Sequence, residues 1–246
     1  MTKLYKKSEI TFAIIWIVAY VVLSSLADEL SLSVGVTKSV TAALHIVMSL
    51  VLFFWIRNNG LSEKYGFCRS KLPAKDFLYY IPLIIIASTA LWTGVSPAYG
   101  FPGTLCFVIS MCCVGFIEEV IFRGLLFRAM EKDGLRSAII VSAVTFGIGH
   151  IVNMFNVTGR ELGSELMQIF FAILVGFVLV LIFYYGGSLI SCIVFHSANN
   201  ALTGFSAEGG MDPQTEMILN LVLNVVVLGG YLLYLVKVLP NKKVPE

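Results

Sequence analysis

Eight apolar runs separated by short polar or glycine-containing stretches divide the chain, at about residues 10–27, 40–56, 77–92, 105–130, 138–155, 166–185, 189–205 and 217–238. A helix crossing a bilayer core takes about 20 apolar residues. The pattern therefore predicts an all-α polytopic membrane protein, a bundle of about eight transmembrane helices. Eight such helices would use about 160 of the 246 residues, leaving about 86 for termini and connections, too few for a separate soluble domain. The chain reads as one transmembrane domain, 1–246. The first run follows Lys3, Lys6 and Lys7 and ends at Ser25-Leu26-Ala27, the arrangement of a cleavable signal peptide. Its apolar stretch exceeds the usual signal core of about 7–15 residues, which predicts a retained helix.

Composition agrees with the hydropathy pattern. Hydrophobic residues make up 58% of the chain and charged residues 13%, about half the charge of an average soluble domain, and the mean hydropathy is +0.88. The five cysteines, Cys68, Cys106, Cys112, Cys113 and Cys192, are odd in number and form no CxxC pair, which speaks against a disulfide framework or a zinc ribbon. There is no basic, aromatic-interleaved stretch and no glycine-rich phosphate loop. Nucleic acid and nucleotide partners are therefore not expected.

The distribution of Lys and Arg predicts orientation, because short cytoplasmic loops hold an excess of them. Fourteen of the 17 fall on one side: three before the first run, five between Arg57 and Lys75, three between Arg128 and Arg136, and three from Lys237 to Lys243. The opposite connections hold Lys38 and Arg160. Both termini are expected to be cytoplasmic, in a multi-pass protein of the cell membrane. The loop from Arg57 to Asp76, with Gly60, Gly66 and Pro73, is expected to lie along that interface.

Ionisable groups inside the runs are few, and such groups mark function by default. Glu118 and Glu119 are adjacent in the fourth run. Glu119 and Arg123 are four apart, share a helix face and can pair. Glu118 sits about 100° round the helix and lacks that partner, so one carboxylate reads as structural and the other as suited to proton transfer. Ten residues separate Glu118 from Arg128, about 15 Å of helix, too deep for snorkelling to be the favoured reading. His150 lies about 21 Å into its helix from Arg136, and His196 about 14 Å from Gly187. Both helices enter from the same side as the fourth run leaves, so Glu118, His150 and His196 occur at comparable depths. Convergent titratable groups in a protected site are the mark of acid/base chemistry. A single membrane histidine is more often an interhelical hydrogen-bond donor, and that is the reading for His45, which has no such company. Cys192, one turn before His196, is read as small-residue packing.

Glu118-Glu119-Val120-Ile121-Phe122-Arg123 fits EExxxR, Phe146-Gly147-Ile148-Gly149-His150 fits FxxxH, and His196-Ser197-Ala198-Asn199-Asn200 fits HxxxN. In this order on separate hydrophobic helices, they resemble the three motifs of the CPBP family of intramembrane endopeptidases, also called the Abi or type II CAAX prenyl protease family. The resemblance covers about residues 105–205, which it marks as a catalytic core. It implies that Glu118, with His150, activates a water for attack on a peptide carbonyl. It implies that His196 and Asn200 stabilise the oxyanion, and that Glu119 and Arg123 support the site together with Phe146. The family is labelled a metalloprotease and has also been described with a metal-independent, glutamate-activated water. Glu118, His150 and His196 offer zinc an oxygen and two nitrogens with an open position, while the lack of HExxH favours the metal-free alternative.

The substrate implied is a peptide or membrane protein delivered from the lipid bilayer. The compact chain suits the bacterial branch, linked to bacteriocin immunity and peptide processing. Two other classes stay open: a non-proteolytic membrane scaffold that binds a partner through its helices, and a proton-coupled transporter. The halves show no obvious internal repeat of the kind common in transporters.

Overall fold

In the computed structural model, residues 1–151, 162–207 and 211–241 are described. The last four residues of the fifth apolar run, 152–155, lie outside the described residues, as do Arg160, Lys242 and Lys243. Helix α1 (Thr2–Lys7) is followed by α2 (Glu9–Val34), which starts at Ser8, whose Oγ accepts the Thr11 amide at 3.2 Å. It ends at Gly35 with φ +78°, a conformation glycine adopts without a Cβ penalty. It runs unbroken through Ser25-Leu26-Ala27. Helix α3 (Ser39–Asn58) and α4 (Ile81–Ser88) follow, then α5 (Phe101–Glu119) with Pro102 in its first turn, where a missing amide hydrogen costs nothing. A π-helical segment, Val120–Phe127, continues α5 into α6 (Arg128–Glu131). The remaining helices are α7 (Leu135–Gly149), α8 (Leu162–Gly186), α9 (Ile190–Leu202), α10 (Pro213–Leu223) and α11 (Gly229–Lys237).

The fold is an all-helical membrane bundle. Among the described residues, six segments are long and apolar enough to cross a membrane, and Leu135–Gly149 is a shorter apolar helix. One of the six, Ala74–Leu91, is broken near its start, where Leu78, Tyr79 and Tyr80 take positive φ. Helix α9 has 13 residues, about 20 Å. The two short helices, α7 and α9, carry FxxxH and HxxxN. Each buries one face, Ser142, Ala143, Phe146 and Gly147 on α7 and Cys192, Phe195 and His196 on α9, and α2 turns Ile14, Val18, Val22, Leu26 and Leu30 outward as a lipid-facing row. The core lies where Ile117, Val120 and Ile121 meet Val178, Leu179 and Phe183.

The connection after α3 packs back onto the bundle. The Gly66 carbonyl accepts the Leu189 amide at 2.8 Å, and the Lys71 amide donates to the Gly186 carbonyl at 2.7 Å. Gly66 has φ +75°, and a Cβ there would lie 2.8 Å from the Leu189 nitrogen, so this contact requires glycine. The junction that launches α9 is thereby fixed from the loop side.

Candidate active site

The site grows from the end of α5. Glu118 and Glu119 close that helix, and Arg123 lies one turn on in the π segment, a helix form that often occurs at functional sites. Arg123 Nη1 donates to Glu119 Oε1 at 2.8 Å, and both side chains have no exposed surface. A buried arginine needs such a partner, because an isolated charge in an apolar interior is prohibitively costly. The guanidinium also stacks over the Phe146 ring, 4.1 Å from its centre.

Helix α9 reaches this pair through a close helix contact. A Cβ on Gly115 would fall 2.5 Å from the Ser197 backbone nitrogen, so the two backbones touch there, and Ser197 Oγ donates to the Cys112 carbonyl at 2.9 Å. Small residues at a crossing are what permit such approach in membrane proteins. His196, next to Ser197, is consequently delivered to the glutamates. Its Nδ1 donates to Glu119 Oε1 at 2.8 Å, and its Nε2 faces Glu118 Oε2 at 3.5 Å. The bond at Nδ1 fixes the ring plane and leaves Nε2 as the atom presented to Glu118.

Helix α7 is locked in place by Ser142 Oγ, which donates to the Phe122 carbonyl at 2.9 Å. On its other face Gly147 meets the backbone of Ile173 and Gly176 that of Ala143. Phe146 becomes a hub: its ring is edge-on to His196 at 5.5 Å and to His150 at 5.3 Å. His150 Nδ1 donates to the Phe146 carbonyl at 3.1 Å. His150 makes neither an ion pair nor a hydrogen bond with either glutamate among the described residues. The expected depth match thus brings Glu118, Glu119, Arg123, Phe146 and His196 into direct contact and leaves His150 across the Phe146 ring. Asn200 accepts from Asn199 Nδ2 at 3.3 Å.

As placed, Glu118, His150 and His196 do not fit a zinc ion. Among the described residues no three of His, Cys, Asp and Glu converge as metal ligands. Cys192 is fully buried with its thiol on the Leu179 carbonyl.

Three features escaped the motif reading. Tyr20 Oη donates to Glu118 Oε1 at 2.7 Å, so Glu118 has a partner after all, supplied by α2. Glu165, at the start of α8, is 3% exposed with neither oxygen hydrogen-bonded among the described residues; it precedes the apolar run at 166–185 and belongs to none of the three motifs. A cavity of about 460 Å³ opens between α8, α9 and α10, with Asn199, Asn220 and Asn224 beside Phe171, Met217 and Leu223 in its lining. The only sequence signal for it is the clustering of amides within apolar runs.

No curated protein and no solved structure matches the chain. Residues 100–202, the segment carrying the Glu118–Arg123 pair, Phe146, His150, His196 and Asn200, match the family described as type II CAAX prenyl endopeptidase Rce1-like. Over that segment, which is less than half of the chain, the protein is similar to the CAAX-type, or CPBP, family of membrane proteases.

Proposed function

We propose that the chain is an intramembrane endopeptidase in which Glu118 is the general base. The observation that carries this reading is Glu118 Oε2, a buried carboxylate oxygen without a hydrogen-bond partner among the described residues, facing His196 Nε2 at 3.5 Å. A water held there would give its proton to Glu118 while its oxygen bonds to the peptide carbonyl carbon. The proton then passes to the leaving nitrogen as the C–N bond breaks. His150 flanks the water from across Phe146, and the oxyanion is served by Asn200 and by His196 in its imidazolium form, with Nδ1–H on Glu119 and Nε2–H as the donor. Glu119 and Arg123 hold His196 and the Phe146 ring in register. No step is assigned to a metal.

The cavity beside Asn199, with Asn220 and Asn224 among apolar lining residues, suits an extended peptide, whose backbone needs donors and acceptors that lipid cannot supply. The substrate class is a peptide or membrane protein arriving from the bilayer, in bacteriocin-related or other peptide processing at a bacterial plasma membrane. The test compares peptides from membranes of cells making the wild-type protein, Glu118→Ala or His150→Ala. Both variants should insert normally and accumulate an uncleaved precursor. A variant with wild-type processing would remove that residue from the mechanism. If Glu118→Ala alters the biological output with no peptide difference, the scaffold reading takes its place.

A further inference from the structure

Tyr20 stands 98 positions before Glu118 and outside the segment, 100–202, that matches the protease family. It nevertheless makes the shortest side-chain hydrogen bond of Glu118 among the described residues, Oη to Oε1 at 2.7 Å, the ordinary length of a hydroxyl–oxygen hydrogen bond. The ring behind that hydroxyl is itself held. Tyr20 lies against His45, ring centres 5.7 Å apart and planes tilted by 35°. His45 is pinned at both nitrogens, Nε2 to Ser24 Oγ at 2.9 Å and Nδ1 to Ser110 Oγ at 3.0 Å. Ser24 is one turn beyond Tyr20 on α2, and Ser110 is two turns before Glu118 on α5. Helices α2, α3 and α5 are therefore tied together by polar contacts at the point from which the hydroxyl is aimed.

The consequence concerns which oxygen of Glu118 does the chemistry. The terminal torsion of a glutamate is broad and roughly two-fold, so an untethered carboxylate would exchange its oxygens. With Oε1 committed to Tyr20, Oε2 is the oxygen left facing His196 Nε2. We infer that Tyr20 is a positioning residue that fixes the Glu118 carboxylate and selects Oε2 as the proton acceptor, a role that rests on the peptidase reading above.

Tyr20→Phe keeps the ring on His45 and removes only the hydroxyl. Two readouts on the purified full-length protein test it. The first is the infrared carboxylate band of Glu118, isolated by difference against Glu118→Gln. It should shift in Tyr20→Phe and shift the opposite way with 3-fluorotyrosine at position 20, which keeps the fold contacts and donates more strongly. The second is cleavage of a peptide found by the membrane comparison: kcat should fall about 10- to 100-fold with KM within about twofold, because substrate contacts are untouched. Equal kcat in Tyr20→Phe beside an active wild type overturns the assignment and leaves the peptidase reading standing. An unmoved band in both variants also overturns it, at the level of the contact. A wild-type protein that cleaves nothing overturns the peptidase reading and this role with it.

Discussion

Arg123 ties Glu119 and Phe146 together through one buried side chain. It is buried with Glu119, its Nη1 2.8 Å from Oε1, and that same oxygen accepts from His196 Nδ1. Removing the arginine would leave the Glu119 carboxylate uncompensated, a loss of about 3–5 kcal/mol for a buried pair in soluble proteins. It would also free the Phe146 ring, over which the guanidinium lies at 4.1 Å. Arg123→Ala is therefore expected to lower the yield of monodisperse protein in detergent, its melting temperature and its activity together. Arg123→Lys, a point charge without the planar fork, should recover part of the stability and less of the activity. A fully stable Arg123→Ala protein lacking only activity would instead make Arg123 a substrate contact.

The helix contact that delivers His196 is carried by an absent side chain. A Cβ on Gly115 would sit 2.3 Å from Ser197 Oγ and 2.5 Å from the Ser197 nitrogen, so alanine there must push α9 away from α5. Gly115→Ala should reduce both folded yield and cleavage, whereas Gly229→Ala, whose Cβ meets nothing within 4 Å, should leave both unchanged. Thermal unfolding and cleavage of the two variants in parallel check this. At this scale the limits of reading the sequence are also physical. The Glu119–Arg123 pair was legible because four-residue spacing fixes a helix face, and the depth of His196 because helical rise is constant. The pairing of His196 with the glutamates over Glu118 with His150, and the approach of Tyr20, depend on how each helix is rotated about its axis. That rotation is set by close contacts such as Gly115–Ser197 and Gly147–Ile173, whose residues carry no periodic signal of their own. The π segment was equally invisible, since apolar residues on every side fit either helix type.

Besides the polar contacts around Glu118, two ion pairs lie near opposite ends of α2. Near one end Lys64 Nζ donates to both Glu9 oxygens at 2.8 Å and to Tyr5 Oη at 2.8 Å, joining the loop after α3 to the start of α2. Burial works against the Lys64 charge, but the Glu9 carboxylate and the Tyr5 hydroxyl outweigh it and hold its pKa above the ordinary lysine value. A raised cationic pKa stabilises fully below that ordinary value and is lost only as pH rises through the folded one, so Lys64 stays charged at neutral pH. Near the other end Lys38 pairs with Asp28 at 2.8 Å. The first set belongs to the Lys- and Arg-rich side of the chain and the second to the depleted side, so the positive-inside rule predicts that the first faces the cytoplasm. With the native cysteines replaced, Lys7→Cys and Glu63→Cys should be blocked only by a thiol reagent that reaches the cytoplasm. Ser33→Cys and Ala98→Cys, both at exposed positions, should react with an impermeant one in intact cells. Labelling with the opposite sidedness would invert the molecule and present the site to substrates from the other face. Reaction of Lys7→Cys and Ser33→Cys from the same side would mean that α2 does not cross the bilayer, and Tyr20 could then not meet Glu118 at the depth where α5 carries it.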